Sequence, residues 1–306
     1  MKRWAGFVVL LALAGCTTAV SGTARPEPET PPANLALVDP ARTASVLTAV
    51  KTATEAVFSY DSTAAPAYDK ALADNLTPGA RDELAKLFSE IRNSPEPIKL
   101  VTRVIVSAAV EQTADEAQVL TVLDQSSTRA GATSKGIASA LLTTAREGER
   151  WRIGEIKVNP AGAPVTAEKP GAGDRAIARV RDSARDGALR VAEALLNVNP
   201  ADPEGTYARY ESVSTGQLLS QFQQDKAARL NQIRSGGVKS ALAPNPAAAV
   251  MEIVDDKASV LLYAATDVTD AAGQATKKYL PIVLRLHRVD AAGWKAAGIE
   301  SVQPLP

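Results

Sequence analysis

The sequence predicts an α+β chain made of two tandem units, each with N-terminal helices followed by a curved antiparallel β-sheet. Three observations predict it. Apolar residues recur at three- and four-residue steps as far as Ile91, then alternate from Val101 onward, so a helical period gives way to a strand period. The same change of period returns after Ala184. Clusters of proline and glycine set off each unit from what precedes it.

Lys2 and Arg3 open a short apolar run from Trp4 that ends in Leu13-Ala14-Gly15-Cys16. About ten apolar residues at about 1.5 Å each cover roughly half of a ~30 Å hydrocarbon core, too little to span a bilayer. A basic start, an apolar middle and small residues before a cysteine resemble a bacterial lipoprotein signal. The resemblance implies cleavage between Gly15 and Cys16 and a diacylglyceryl group on the Cys16 thiol. The expected location is the outer face of the cell membrane, with the membrane reached through lipid rather than through a helix. Two or more acyl chains, at about 0.8 kcal/mol per buried methylene, hold a protein there stably. The chain is thus read as a signal over 1–16, a Pro-rich tether over 17–40, a first unit over 41–159, a Pro/Gly linker over 160–175 and a second unit over 176–306.

In the first unit, Val46, Leu47, Val50, Ala53, Ala56 and Val57 predict a helix over Thr43–Tyr60. A short helix over Ala64–Ala73 presents Tyr68 and Leu72. Thr77-Pro78-Gly79 marks the start of another, leading into Leu84, Leu87, Phe88 and Ile91, with Pro95 and Pro97 ending it. Strands follow over Val101–Val110, with Thr102, Val104, Val106, Ala108 and Val110 on one face, and over Ala117–Asp124. Ser126–Lys135 reads as a loop, Ile137–Ala145 and Trp151–Val158 as strands, and Glu147-Gly148-Glu149 as the turn between them.

In the second unit, helices are expected over Ala184–Leu196 and Ser214–Ile233, with Tyr207 and Tyr210 in the place of Tyr68. Strands are expected over Ala247–Ile253, Ala258–Ala265, Tyr279–Val289 and Trp294–Val302. Ala117–Asp124 lies over Ala258–Ala265 at an offset of about 140 residues, and Trp151 lies over Trp294 in step with it, so the chain reads as a tandem duplication.

A domain of helices followed by a bent antiparallel sheet looks like the NTF2-like cone fold. Val101-Thr102-Arg103-Val104-Ile105-Val106, then Ala117 to Gln125, then a strand near Trp151, resemble the Mce-associated proteins of actinobacteria. The resemblance implies an accessory or stabilising role beside an Mce-type lipid import system, with transporter subunits as protein partners. The chain departs from that family in carrying a lipidated cysteine and two units.

Composition narrows the chemistry. Lys+Arg and Asp+Glu are equal at 34 each, so nothing advertises nucleic acid. Cys16 and His287 are the only residues of their types, which leaves no zinc cluster and no disulfide, and no cofactor or metal is expected. His287 shares a strand face with Arg285, opposite Ile282, Leu284 and Leu286, and is read as structural; no catalytic residue is assigned. The acids Asp115-Glu116 and Asp255-Asp256 read as solvated turns. A hollow between helices and sheet would suit a lipid or small apolar molecule, with Tyr68, Phe88, Trp151, Tyr207, Tyr210, Phe222, Tyr263 and Trp294 as candidates to line it. The expectation is therefore a non-catalytic lipoprotein acting through protein contacts, with an extracytoplasmic lipid carrier as the alternative.

Overall fold

A computed structural model describes residues 34–159 and 175–305. Gly15, Cys16, the rest of the signal, most of the tether and the linker over 160–174 lie outside the described residues.

The first helix begins where the chain offers both a cap and a proline. The Asp39 carboxylate accepts the Arg42 N–H at 3.0 Å, and Pro40 takes the first helical position, where a missing N–H costs nothing. Helix α1 is therefore Pro40–Val57, and the proline assigned to the end of the tether is its first residue. A two-residue strand β1 (Tyr60–Asp61) and a 3-10 turn lead into α2 (Ala65–Asn75), α3 (Pro78–Leu87) and the single turn α4 (Ser89–Arg92). Strands β2 (Ile98–Gln112), β3 (Glu116–Arg129), β4 (Ala132–Glu147) and β5 (Arg150–Val158) join β1 in an antiparallel sheet of order β1-β2-β3-β4-β5.

The second half runs in the same order: α5 (Arg175–Leu196), α6 (Pro203–Ser212), α7 (Gly216–Gly236), β6 (Lys239–Leu242), β7 (Ala247–Val254), β8 (Lys257–Thr269), β9 (Ala275–Val289) and β10 (Gly293–Ser301). Both β6 and β7 pair with β8, so together they hold the place on β8 that β2 holds on β3. Smaller details repeat too. Leu76 bridges to Ile153 in parallel as Ser214 does to Ala296, and the Asn159 N–H reaches Ser139 as the Val302 N–H reaches Pro281.

Two sequence expectations are corrected by the strand register. Thr102, Val104, Val106, Ala108 and Val110 do not share a face, because an irregularity between Val104 and Val106 inserts Ile105 without a partner. Val104 consequently packs under the helices, while Ala108 and Val110 point to the opposite side. Ser126–Lys135 is not a loop. Its polar residues continue the ladder, Thr128 opposite Thr133, around a two-residue turn at Ala130-Gly131. Both turn residues have positive φ, at 48° and 80°, the geometry that follows the twist of a hairpin.

The core has three parts. One lies between α1–α3 and the first sheet, around Val50, Leu76, Leu84, Val119 and Leu142. Another lies between α5 and the second sheet, around Ala188, Val191, Val260, Leu284 and Trp294. The third joins the two sheets, with Ala108, Val110, Leu120, Val122 and Leu141 meeting Ala247, Ala249, Leu261 and Tyr263. This explains why β3 and β8 read as nearly unbroken apolar runs, since each is covered on both faces. The layers are helix, sheet, sheet, helix.

A polar seam reinforces the junction. Asn34 donates from Nδ2 to the Val110 carbonyl at 3.0 Å and accepts the Gln112 N–H at 3.1 Å, tying the start of the described chain to β2. From the other half, buried Arg181 donates to the Asn34 and Ala36 carbonyls, each at 2.8 Å, and pairs with Asp182 at 2.9 Å. Residues 34–39 are thus packed structure rather than tether.

Candidate functional site

The aromatic residues proposed to line a hollow instead fill or leave it. Tyr68 and Phe88 are buried, their ring centroids 6.2 Å apart, and Phe58 and Tyr60 close around them edge-on. The Tyr68 hydroxyl donates to the Val57 carbonyl at 3.2 Å, which satisfies its polar end inside the core. Trp151 is half-buried against the same core and also walls an open cleft beside α1. Trp294 is buried beneath α5, with the Arg288 guanidinium 5.9 Å from its ring.

Tyr207, Tyr210 and Phe222 form a separate cluster where α6 and α7 pack together, and the Tyr207 hydroxyl donates to the Phe222 carbonyl. Ion pairs Lys226–Glu211 and Arg234–Glu204 hold the two helices along their length. Tyr263 is a correction of another kind, because it lies on the far face of its sheet. Alternation along β8 sends Val260, Leu262 and Ala264 under the helices and Leu261 and Tyr263 into the junction between sheets. There its hydroxyl donates to Asn159 Oδ1 at 2.8 Å and its ring stacks on Tyr279.

Burial pushes the Tyr68 phenol up to about 12, with the neighbouring Arg92 cation working against it. Burial also pushes Tyr263 up to about 12, and Tyr279 beside it adds to the shift. The folded protein thus keeps protons that the unfolded chain releases near pH ~10. The stability linked to these phenols is present below that pH and is lost as pH rises toward about 12. A tyrosinate absorbance titration is expected to show Tyr68 and Tyr263 ionising only as the protein unfolds. Loss of the late step in the Tyr68→Phe and Tyr263→Phe variants assigns it to them; its persistence in both would contradict the assignment.

His287 stands where alternation places it. Leu284 and Leu286 are buried, Arg285 is exposed and paired with Glu300 at 2.7 Å, and His287 is partly exposed on the same face. Glu252, Ser259 and His287 line one shallow groove, Glu252 and Ser259 as ladder partners, but no side-chain hydrogen bond joins the three among the described residues. Among the described residues no group of three His, Cys, Asp or Glu side chains is placed to hold a metal, and no helix is long and apolar enough to cross a membrane.

One cleft distinguishes the second half from the first. Between β6 and β7 the chain turns through Ala243-Pro244-Asn245-Pro246, with Asn245 at φ 57°, where β2 carries only the single extra residue Ile105. The bend stands off α5 and opens a cleft of about 540 Å³ over Leu189, Leu242 and Ala248, with Arg185 and Glu193 on its wall. The Pro-Asn-Pro run in the sequence was the available signal for this break, since two prolines in one strand leave two ladder positions without a donor.

No family model and no curated protein matches the chain. Among solved structures, an NTF2-like protein involved in plasmid conjugation is similar over 86% of this chain and 99% of its own, at 8% identity and a TM-score of 0.29. The intermembrane space region of the chloroplast protein ARC6 is similar over 45% of this chain and 98% of its own, at 11% identity and a TM-score of 0.27. At these scores the two structures are neighbours in outline only, and the α+β assignment stands on the elements and register of the chain itself.

Proposed function

We propose that the chain is a non-catalytic, lipid-anchored protein of the cell envelope, made of two duplicated NTF2-like units and acting through protein contacts. The observation that carries the reading is the fate of the cone interiors. Tyr68 and Phe88 in one half and Ala188, Val191 and Trp294 in the other occupy the space where a carrier would hold its cargo, so outer surfaces are left as the means of interaction. The sequence resemblance to Mce-associated proteins suggests the partner class, subunits of a lipid importer. Leu13-Ala14-Gly15-Cys16 supplies the anchor, and the proline-rich stretch after Cys16 is read as the tether. The duplication is supported by the repeated pairing pattern of the two sheets.

The anchor is tested by Cys16→Ser. The variant is expected to fold normally and to leave the membrane fraction after a salt wash, with no acyl group found by mass spectrometry. Retention of the substituted protein in washed membranes would remove the lipid anchor from the reading.

A further inference from the structure

The two halves carry the same irregularity in equivalent strands. On β2 the register shifts between Ala109 and Glu111, and on β7 between Val250 and Glu252. Val110 and Met251 therefore stand out of the ladder at matching positions, one residue before the partners of Gln118 and Ser259. Both side chains reach the core between the sheets, but their cover differs. Val110 is buried, and Asn34 fastens the entering chain beside it by donating to its carbonyl at 3.0 Å. Met251 is only half-buried, and it also lines an open groove with Ser259, Val283, Arg285 and Glu300.

Met251 is the only sulfur-bearing side chain among the described residues. Its thioether is apolar and polarizable, and packs as part of the junction. A sulfoxide at the same place is polar and needs a hydrogen-bond donor. The junction core consists of aliphatic side chains, and its phenol, Tyr263, already donates to Asn159. The groove holds two donors instead. The Ser259 hydroxyl has no hydrogen-bond partner among the described residues, and the Arg285 guanidinium is held there by Glu300 at 2.7 Å.

We propose that Met251 is a redox-sensitive catch on the junction between the two halves. Hydrogen peroxide reaching the groove gives one oxygen to the thioether sulfur. The O–O bond breaks and an S–O bond forms; the proton of the transferred oxygen moves to the departing one, which leaves as water, and the sulfur is oxidised by two electrons. As the thioether, Met251 closes the rim of the junction. As the sulfoxide, it turns into the groove toward Ser259 and Arg285 and leaves the rim open. A reductant specific for methionine sulfoxide resets it. This device goes beyond the partner-binding reading and does not rest on it.

The test treats the purified full-length protein with dilute hydrogen peroxide and reads mass and hydrogen exchange peptide by peptide. Met251 is expected to gain one oxygen, and the amides of β2 and β7, which face each other across the junction, to exchange about tenfold faster, equivalent to about 1.4 kcal/mol. Met251→Leu conserves volume without an oxidisable sulfur and should keep the parent's exchange under peroxide. Met251→Gln, polar without any oxidant, should show the faster exchange untreated. No oxygen on Met251 in the folded protein, or an oxygen there with β2 and β7 unchanged, would overturn the catch. Equal acceleration in Met251→Leu would overturn it too, by moving the effect to another residue.

Discussion

Replacing Leu261 with alanine is expected to lower the stability of both halves together, by about 2–5 kcal/mol, the range for a buried leucine that leaves a cavity. Leu261 is fully buried on β8, yet its side chain points away from the helices of its own half and into the junction with Leu120, Val122 and Leu141. The cavity therefore opens in a core that the two sheets share. Hydrogen exchange read peptide by peptide checks this: β3 and β8 should lose protection in parallel. Loss confined to β8, with β3 unchanged, would mean that the halves are energetically separate despite their contact.

Gly187→Val is expected to destabilise the second half by about 3 kcal/mol, reversing the usual benefit of removing a glycine from a helix. A glycine inside a helix normally costs about 1 kcal/mol relative to alanine. Here, however, a Cβ at position 187 would come within 2.5 Å of Trp294 Cβ, which belongs to the stem of the side chain and cannot swing aside. α5 and β10 must separate, and overpacking of this kind costs about 1–3 kcal/mol before the two γ-methyl carbons of valine are placed. Thermal unfolding of Gly187→Ala and Gly187→Val should show a graded fall in midpoint. A rise for Gly187→Ala would show that the helix adjusts freely over Trp294.

Most of the order of elements was legible because the longer helices and strands carry their own period, and because Trp151 and Trp294 recur in step with the strands that precede them, while the short elements β1, α6 and β6 went unread. What escaped was what depends on pairing. A single inserted residue, Ile105, moves Ala108 to the other face, a second irregularity between Ala109 and Glu111 returns Gln112 to the helix side, and no alternation count can see either. The Ser126–Lys135 hairpin was hidden by its polar, solvent-facing composition, although its ladder is continuous. Pro40 was read with the prolines before it, whereas Asp39 in front of it makes it a helix start. Tyr263 was assigned to the hollow by residue type, when its position relative to Leu262 already set it on the opposite face.

The most direct test of the account is recovery of the full-length tagged protein from its native membrane in mild detergent, with bound proteins and lipids both identified by mass spectrometry. The account predicts stoichiometric envelope transport subunits and no retained lipid beyond the Cys16 acyl chains. A stoichiometric lipid held by the protein in the absence of protein partners would contradict it and make the chain a carrier.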